Sequence, residues 1–180
     1  MLHRYYRILP MLIILCIPHI PIILSNKTYT MPLLTAERTT PDYGMTITDA
    51  TGNSMLIDIP IDQGGNGKGM RPMQTLLAAL CGCSAVDVVS ILQKQKQEFS
   101  SFKIAVDGER EHGKEPSVWE TIDLVFEFLG DVEPGKAFRA VKLSTDKYCS
   151  VAETVRRAGA TINFKVKVNG VYFEGGNVGG

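Results

Sequence analysis

The sequence predicts an α+β domain in which one long apolar helix packs on an antiparallel sheet. Three observations carry that reading. Arg71–Gln95, RPMQTLLAALCGCSAVDVVSILQKQ, is too long for a strand and is apolar at helical spacing: Leu76, Leu80, Cys83 or Ser84, Val88 and Leu92. Around it, MTITDA, SFKIAVDGE, SVWETIDLVFEFL and TINFKVKV alternate apolar and polar residues, the period of a strand with one face on a core. Turn formers, Thr51-Gly52-Asn53 and Asn169-Gly170, separate neighbouring strand patterns, which makes hairpins. Hairpins with segregated helices are the mark of an α+β fold.

The long helix opens at Pro72, whose missing N–H is one that a helix start leaves unpaired anyway. The positions between its periodic residues are also apolar or small: Leu77, Ala78, Ala79, Ala85, Val86, Val89 and Ile91. A helix apolar nearly all round belongs in the interior of a domain or a dimer. Beyond Leu92 the chain turns polar, and Lys94 and Lys96 suit the negative end of the helix dipole. The helix therefore carries Cys83 into an interior.

Taken in order, Met1–Leu24 has a basic start and an apolar stretch, the outline of a signal peptide or anchor. Pro10, Pro18, Pro21 and His19 interrupt it, and no small-residue cleavage site follows. Residues 1–30 are read as a poorly ordered extension or as the product of a start site placed too early, Met31 being the natural beginning, with the domain over 31–176. Leu33–Arg38 is a short strand, and Met45–Ile59 a hairpin. The Gly-rich loop Pro60–Met70 lacks the residue order of a phosphate-binding loop and reads as a mobile or tightly turned connection. Strands over Ser101–Glu109 and Ser117–Leu129 flank a polar loop holding a solvated His112. Pro134–Lys147 is a helix with Phe138 and Val141 inward and Lys136, Arg139 and Lys142 outward. Ser150–Ala158 is another helix, before the final hairpin, Thr161–Val168 and Val171–Glu174. Cys149 or Ser150 caps that second helix, and the free N–H groups of a helix start lower a thiol pKa.

A chain of 180 residues is long enough for one well-cored domain. Nineteen acidic and nineteen basic residues leave no basic surplus to propose nucleic acid as a partner. The cysteines are Cys16, Cys81, Cys83 and Cys149; none forms a CxxC pair, and His3, His19 and His112 are scattered. That spacing argues against zinc. Cys81 and Cys83 are two apart on a helix and point to roughly opposite sides. Asp87 shares a helix face with Cys83; an ionised neighbour raises a thiol pKa, and the residue is read as a buried or interface carboxylate paired with a basic group.

RPMQTLLAALCGCSAVDVVSIL, followed by AFRAVKLSTDKYCSVAETV, resembles the OsmC/Ohr family of organic hydroperoxide reductases. It lies nearest the branch whose central helix reads GGCSAIDVVSIL and whose second motif reads KYCSV. The similarity spans about Thr46–Val168. The resemblance implies an OsmC-like fold, an intertwined homodimer with sites at its interface, and a role in oxidative-stress defence. It implies Cys83 as the peroxidatic cysteine and Cys149 as the resolving one. It further implies a lipoyl-type dithiol as reductant, and no cofactor or metal. This chain departs from the family in having Met73 where an acid follows the opening proline. No arginine maps cleanly onto the activating one, Arg38 and Arg71 being the nearest candidates. Cys81 stands where glycine is usual.

The implied reaction is reduction of an organic hydroperoxide through a sulfenic acid and then a disulfide. The competing reading, prompted by Met73, is a dimer that binds a hydrophobic small molecule or acyl chain without efficient catalysis. A reducing supply places the protein in the cytoplasm; export or membrane anchoring through residues 1–24 is the alternative.

Overall fold

The computed structural model describes residues 33–174; the readings made for residues 1–30 and for the domain ends lie outside them. Strands β1 (Leu34–Arg38), β2 (Met45–Asp49) and β3 (Ser54–Ile57) form an antiparallel sheet in that order. Helix α1 (Pro72–Lys94) follows, then β4 (Ser101–Arg110), β5 (Trp119–Leu129), α2 (Pro134–Leu143), α3 (Ser150–Arg157), β6 (Thr161–Val168) and β7 (Val171–Phe173).

The first hairpin closes on Asp49, whose carboxylate accepts the N–H groups of Thr51 and Asn53 and the Thr51 hydroxyl, while Gly52 takes φ +93°. The Gly-rich connection is tightly turned. Asp58, 1% exposed, accepts the N–H groups of Ile59, Asn66 and Lys68. Burial pushes its carboxyl up, but those N–H groups and the Lys68 ammonium outweigh burial and hold it below the usual value. A Cβ on Gly65 would lie 2.1 Å from the Ile59 carbonyl oxygen, so that turn needs glycine. One polar side chain thus organises a loop that composition alone leaves open.

The second sheet runs β4-β5-β6-β7 and is mixed: β4/β5 and β6/β7 are antiparallel, whereas β5 and β6 are parallel. The sequence reading of an antiparallel sheet is corrected at this pair. The reason is the connection. Parallel neighbours need a crossover, and α2, a π-helical turn at Ser144–Tyr148 and α3 supply it. The turn also ends the α-helix at Leu143, short of Lys147.

Ile122, Leu124, Phe126 and Phe128 of β5 are fully buried and share one core with Leu80, Val88 and Leu92 of α1 and Ala137, Ala140 and Val141 of α2. Opposite them in register stand Phe102, Ile104 and Val106 on β4, and Phe164, Val166 and Val168 on β6. Trp119 Nε1 donates to the Met73 carbonyl at 3.2 Å, tying the start of β5 to the start of α1.

Within one chain α1 is not buried all round. Leu77, Leu80, Ser84, Val88 and Leu92 form its buried row, while Val86 is 71% and Leu76 42% exposed. All five residues of β1 are exposed as well. α1 is long and apolar enough to cross a membrane, a property that the core helix of a globular domain shares, and its buried row lies in the core.

Candidate functional site

The fold brings Cys83 and Cys149 together. Cys83 lies midway along α1, half-buried, and Cys149 is the N-cap of α3 with 3% of its surface exposed. The two Sγ atoms and a carboxylate oxygen of Asp87 all lie within 4.8 Å of one another. Asp87 reaches the thiols because it is one helical turn beyond Cys83. Cys149 arrives through the π-helical turn, which closes with Cys149 N–H donating to the Ser144 carbonyl at 2.9 Å. Arg156 braces that turn from α3, donating to the Thr145 carbonyl and pairing with Asp146 at 3.6 Å.

Hydroxyl and amide donors surround the acceptors. Ser84 Oγ donates to Cys149 Sγ at 3.5 Å, and Ala152 N–H donates to the same sulfur at 3.3 Å. Ser144 Oγ, fully buried, donates to Asp87 Oδ2 at 3.1 Å. Within one chain the basic partner read for Asp87 is not found: among the described residues it makes no ion pair, and the Ser144 hydroxyl is its partner. A serine held in the core does this at short range, where a basic side chain would itself need solvation.

The helix start does not make Cys149 acidic. Burial pushes its thiol up, the adjoining Cys83 thiol adds to the rise, and the donors from Ser84 and Ala152 offset only part of it. Cys149 is therefore held as a thiol. Cys81 is half-buried against the core, and burial pushes its thiol up too. Among the described residues, Cys81, Cys83 and Cys149 are all free.

Arg71 and Arg38 are not built into this cluster. Arg71 caps the start of α1, about 18 Å along the axis from Cys83 at 1.5 Å per residue. Arg38 ends β1, in the other sheet. Met73 stands in the first turn of α1 with its carbonyl engaged by Trp119. His112 is exposed, as its loop position suggests.

Sequence reasoning missed both serines. Ser84 had a signal, being the one hydroxyl in the row Leu77, Leu80, Ser84, Val88, Leu92. Ser144 had none, since only the π-helical turn aims it at α1. Asp87 lines a cleft of about 590 Å³ with Val86, Ser90, Ile91, Lys94, Leu143 and Tyr148. A smaller polar cleft of about 320 Å³, which shares Tyr148 with it, reaches Cys149 between Lys147, Ser150, Glu153 and Arg157.

Such an arrangement suits dithiol chemistry: one reachable sulfur, one sheltered sulfur, and fixed donors around them. Comparison with known proteins agrees on the family. The chain is 40% identical over 111 residues to the protein YhfA of Escherichia coli K12, spanning 61% of this chain and 78% of YhfA. A hypothetical protein from Aquifex aeolicus VF5 shares 33% identity and superposes with a TM-score of 0.63 over 76% of this chain and 96% of its own. An organic hydroperoxide resistance protein OsmC from Legionella pneumophila has the same fold at 15% identity, with a TM-score of 0.55 over 79% of this chain and 98% of its own. Residues 65–165 match the family model of OsmC-like proteins, and the chain belongs to that family.

Proposed function

We propose that the protein is a cysteine-based thiol peroxidase that reduces organic hydroperoxides. The observation that carries this reading is the meeting of the Cys83 and Cys149 sulfurs, one from the middle of α1 and the other from the start of α3. In the first step the Cys83 thiolate attacks the O–O bond; its sulfur takes one oxygen as sulfenic acid, and the other leaves as alcohol after protonation. In the second, Cys149 attacks that sulfur, and a disulfide and water result. A dithiol, lipoyl-type by family resemblance, returns both thiols and is itself oxidised to a disulfide.

The division of roles follows exposure. Cys83 is half-buried, one helical turn from Asp87 in the wall of the larger cleft, whereas Cys149 is almost wholly buried and held protonated, which suits a resolving thiol that must wait for the sulfenate. Ile91, Leu143 and Val86 give the cleft an apolar wall for an alkyl group. The exposed apolar residues of α1, Val86 and Leu76, support a homodimer in which a second copy covers this face. Because the cycle draws on a thiol supply, we place the protein in a reducing compartment.

The test is exposure of the reduced protein to one equivalent of cumene hydroperoxide, followed by thiol blocking and peptide mapping. A Cys83–Cys149 disulfide formed within seconds is expected. Both thiols still free after minutes would sink the reading and favour the acyl-binding alternative, for which native mass spectrometry would reveal a co-purified ligand.

A further inference from the structure

We propose that Cys83, Asp87 and Cys149 form a site for a thiophilic divalent cation, Zn²⁺ foremost, open only while both thiols are reduced. The three candidate ligand atoms lie within 4.8 Å of one another. A tetrahedral zinc at about 2.3 Å from sulfur sets two thiolates about 3.8 Å apart, so a small side-chain contraction closes the site. Two sulfurs and one carboxylate oxygen are a zinc donor set; calcium and magnesium prefer oxygen alone. Three protein ligands leave a fourth position for water, and Asp87 lines a cleft that admits it.

Outer-shell donors make this more than a coincidence of residue types. Metal ligands are held by hydrogen bonds from a second layer, which fix their orientation and favour their anionic forms. Cys149 Sγ receives Ser84 Oγ–H and Ala152 N–H, and Asp87 Oδ2 receives Ser144 Oγ–H. Both serines are fully buried, so their aim is fixed. Asp87, half-buried in a cleft wall, has no basic partner among the described residues, which leaves its charge open to a cation. No CxxC spacing announces the site, because its ligands come from α1 and from the start of α3.

Occupancy and disulfide exclude each other. On attack by an alkyl hydroperoxide the two sulfurs give up two electrons and form one S–S bond. The O–O bond breaks, its oxygens leave as alcohol and water with two protons from solvent, and the cation is released. This coupling rests on the peroxidase reading; the metal site does not.

The experiment titrates reduced, chelator-washed, full-length protein with Zn²⁺ against a chromophoric chelator and records the Co²⁺ absorption spectrum. One Zn²⁺ per chain is expected, with thiolate-to-Co²⁺ charge transfer and a tetrahedral ligand-field pattern. Cys83→Ser should weaken binding and diminish the thiolate charge-transfer band, which Cys83→Ser with Cys149→Ser should abolish, and Asp87→Asn, nearly isosteric, should weaken binding at least about tenfold. Cys81→Ser should bind as the wild type does, with circular dichroism verifying the fold of each variant. Absence of binding by the reduced wild type, or binding unchanged in both Cys83→Ser and Asp87→Asn, would overturn the site. Stoichiometric Zn²⁺ binding without hydroperoxide turnover would uphold the site and overturn the coupling alone.

Discussion

Ser84, wholly buried in α1, donates its hydroxyl to the sulfur of Cys149, sixty-five residues further along the chain. The contact joins the neighbour of one thiol to the other thiol. It also opposes burial, which otherwise drives the Cys149 pKa upward. Ser84→Ala should therefore make Cys149 less reactive. The rate of alkylation at Cys149, followed against pH by peptide mapping, should need a higher pH in the variant. An unchanged profile would mean that the hydroxyl does not tune this sulfur.

The two thiols should fail differently. Cys83→Ser should lose hydroperoxide turnover. Cys149→Ser should still consume one equivalent and stop at a sulfenic acid on Cys83, trappable by a dimedone-type reagent. A sulfenic acid trapped on Cys149 in Cys83→Ser, with none on Cys83 in Cys149→Ser, would reverse the assigned roles.

Stability should fall in alkaline solution. The Cys149 thiol titrates above the ordinary 9.0 in the folded chain, so the folded state keeps a proton that the unfolded state has lost. Stability then decreases with pH once the unfolded thiol ionises, and is unaffected by this group below that point. Urea unfolding from about pH 8 to pH 10 should show the loss in the wild type and less of it in Cys149→Ala. Equal slopes would remove Cys149 as the cause.

Asp58 has the opposite sign. Its folded-state carboxyl sits below the ordinary 3.8, so its contribution is present above that value and lost as pH falls through the lower one. Asp58→Asn should flatten acid unfolding in that range and expose the 60–70 loop to proteolysis at neutral pH. A variant as protease-resistant as the wild type would show that the glycine turns hold the loop unaided.

Burial along α1 separates core from interface. Leu80→Ala, at a fully buried site, should cost about 2–5 kcal/mol in urea unfolding. Val86, 71% exposed, gives the contrast. In a dimer covering this face, Val86→Asp should yield monomers in analytical ultracentrifugation while the fold persists. A wild type that sediments as a monomer would remove the proposed dimer.

The sequence by itself determined the elements. Pro72, the apolar spacing through Leu92 and the polar end at Lys94 bound α1, because helix starts and burial periods are local properties. The alternation Ile122, Leu124, Phe126, Phe128 fixed which face of β5 is core, since side chains alternate across a strand. The two cysteine motifs marked both sulfurs. Tertiary structure alone decided the rest. The parallel β5/β6 pair follows from a crossover whose length is visible but whose return path is not. Asp87 finds Ser144 instead of a base, and Cys149 is raised instead of lowered, because burial and partners depend on which surfaces meet. Hydrogen-bond partners and desolvation are properties of the packed chain, and no spacing along α1 or α3 encodes them.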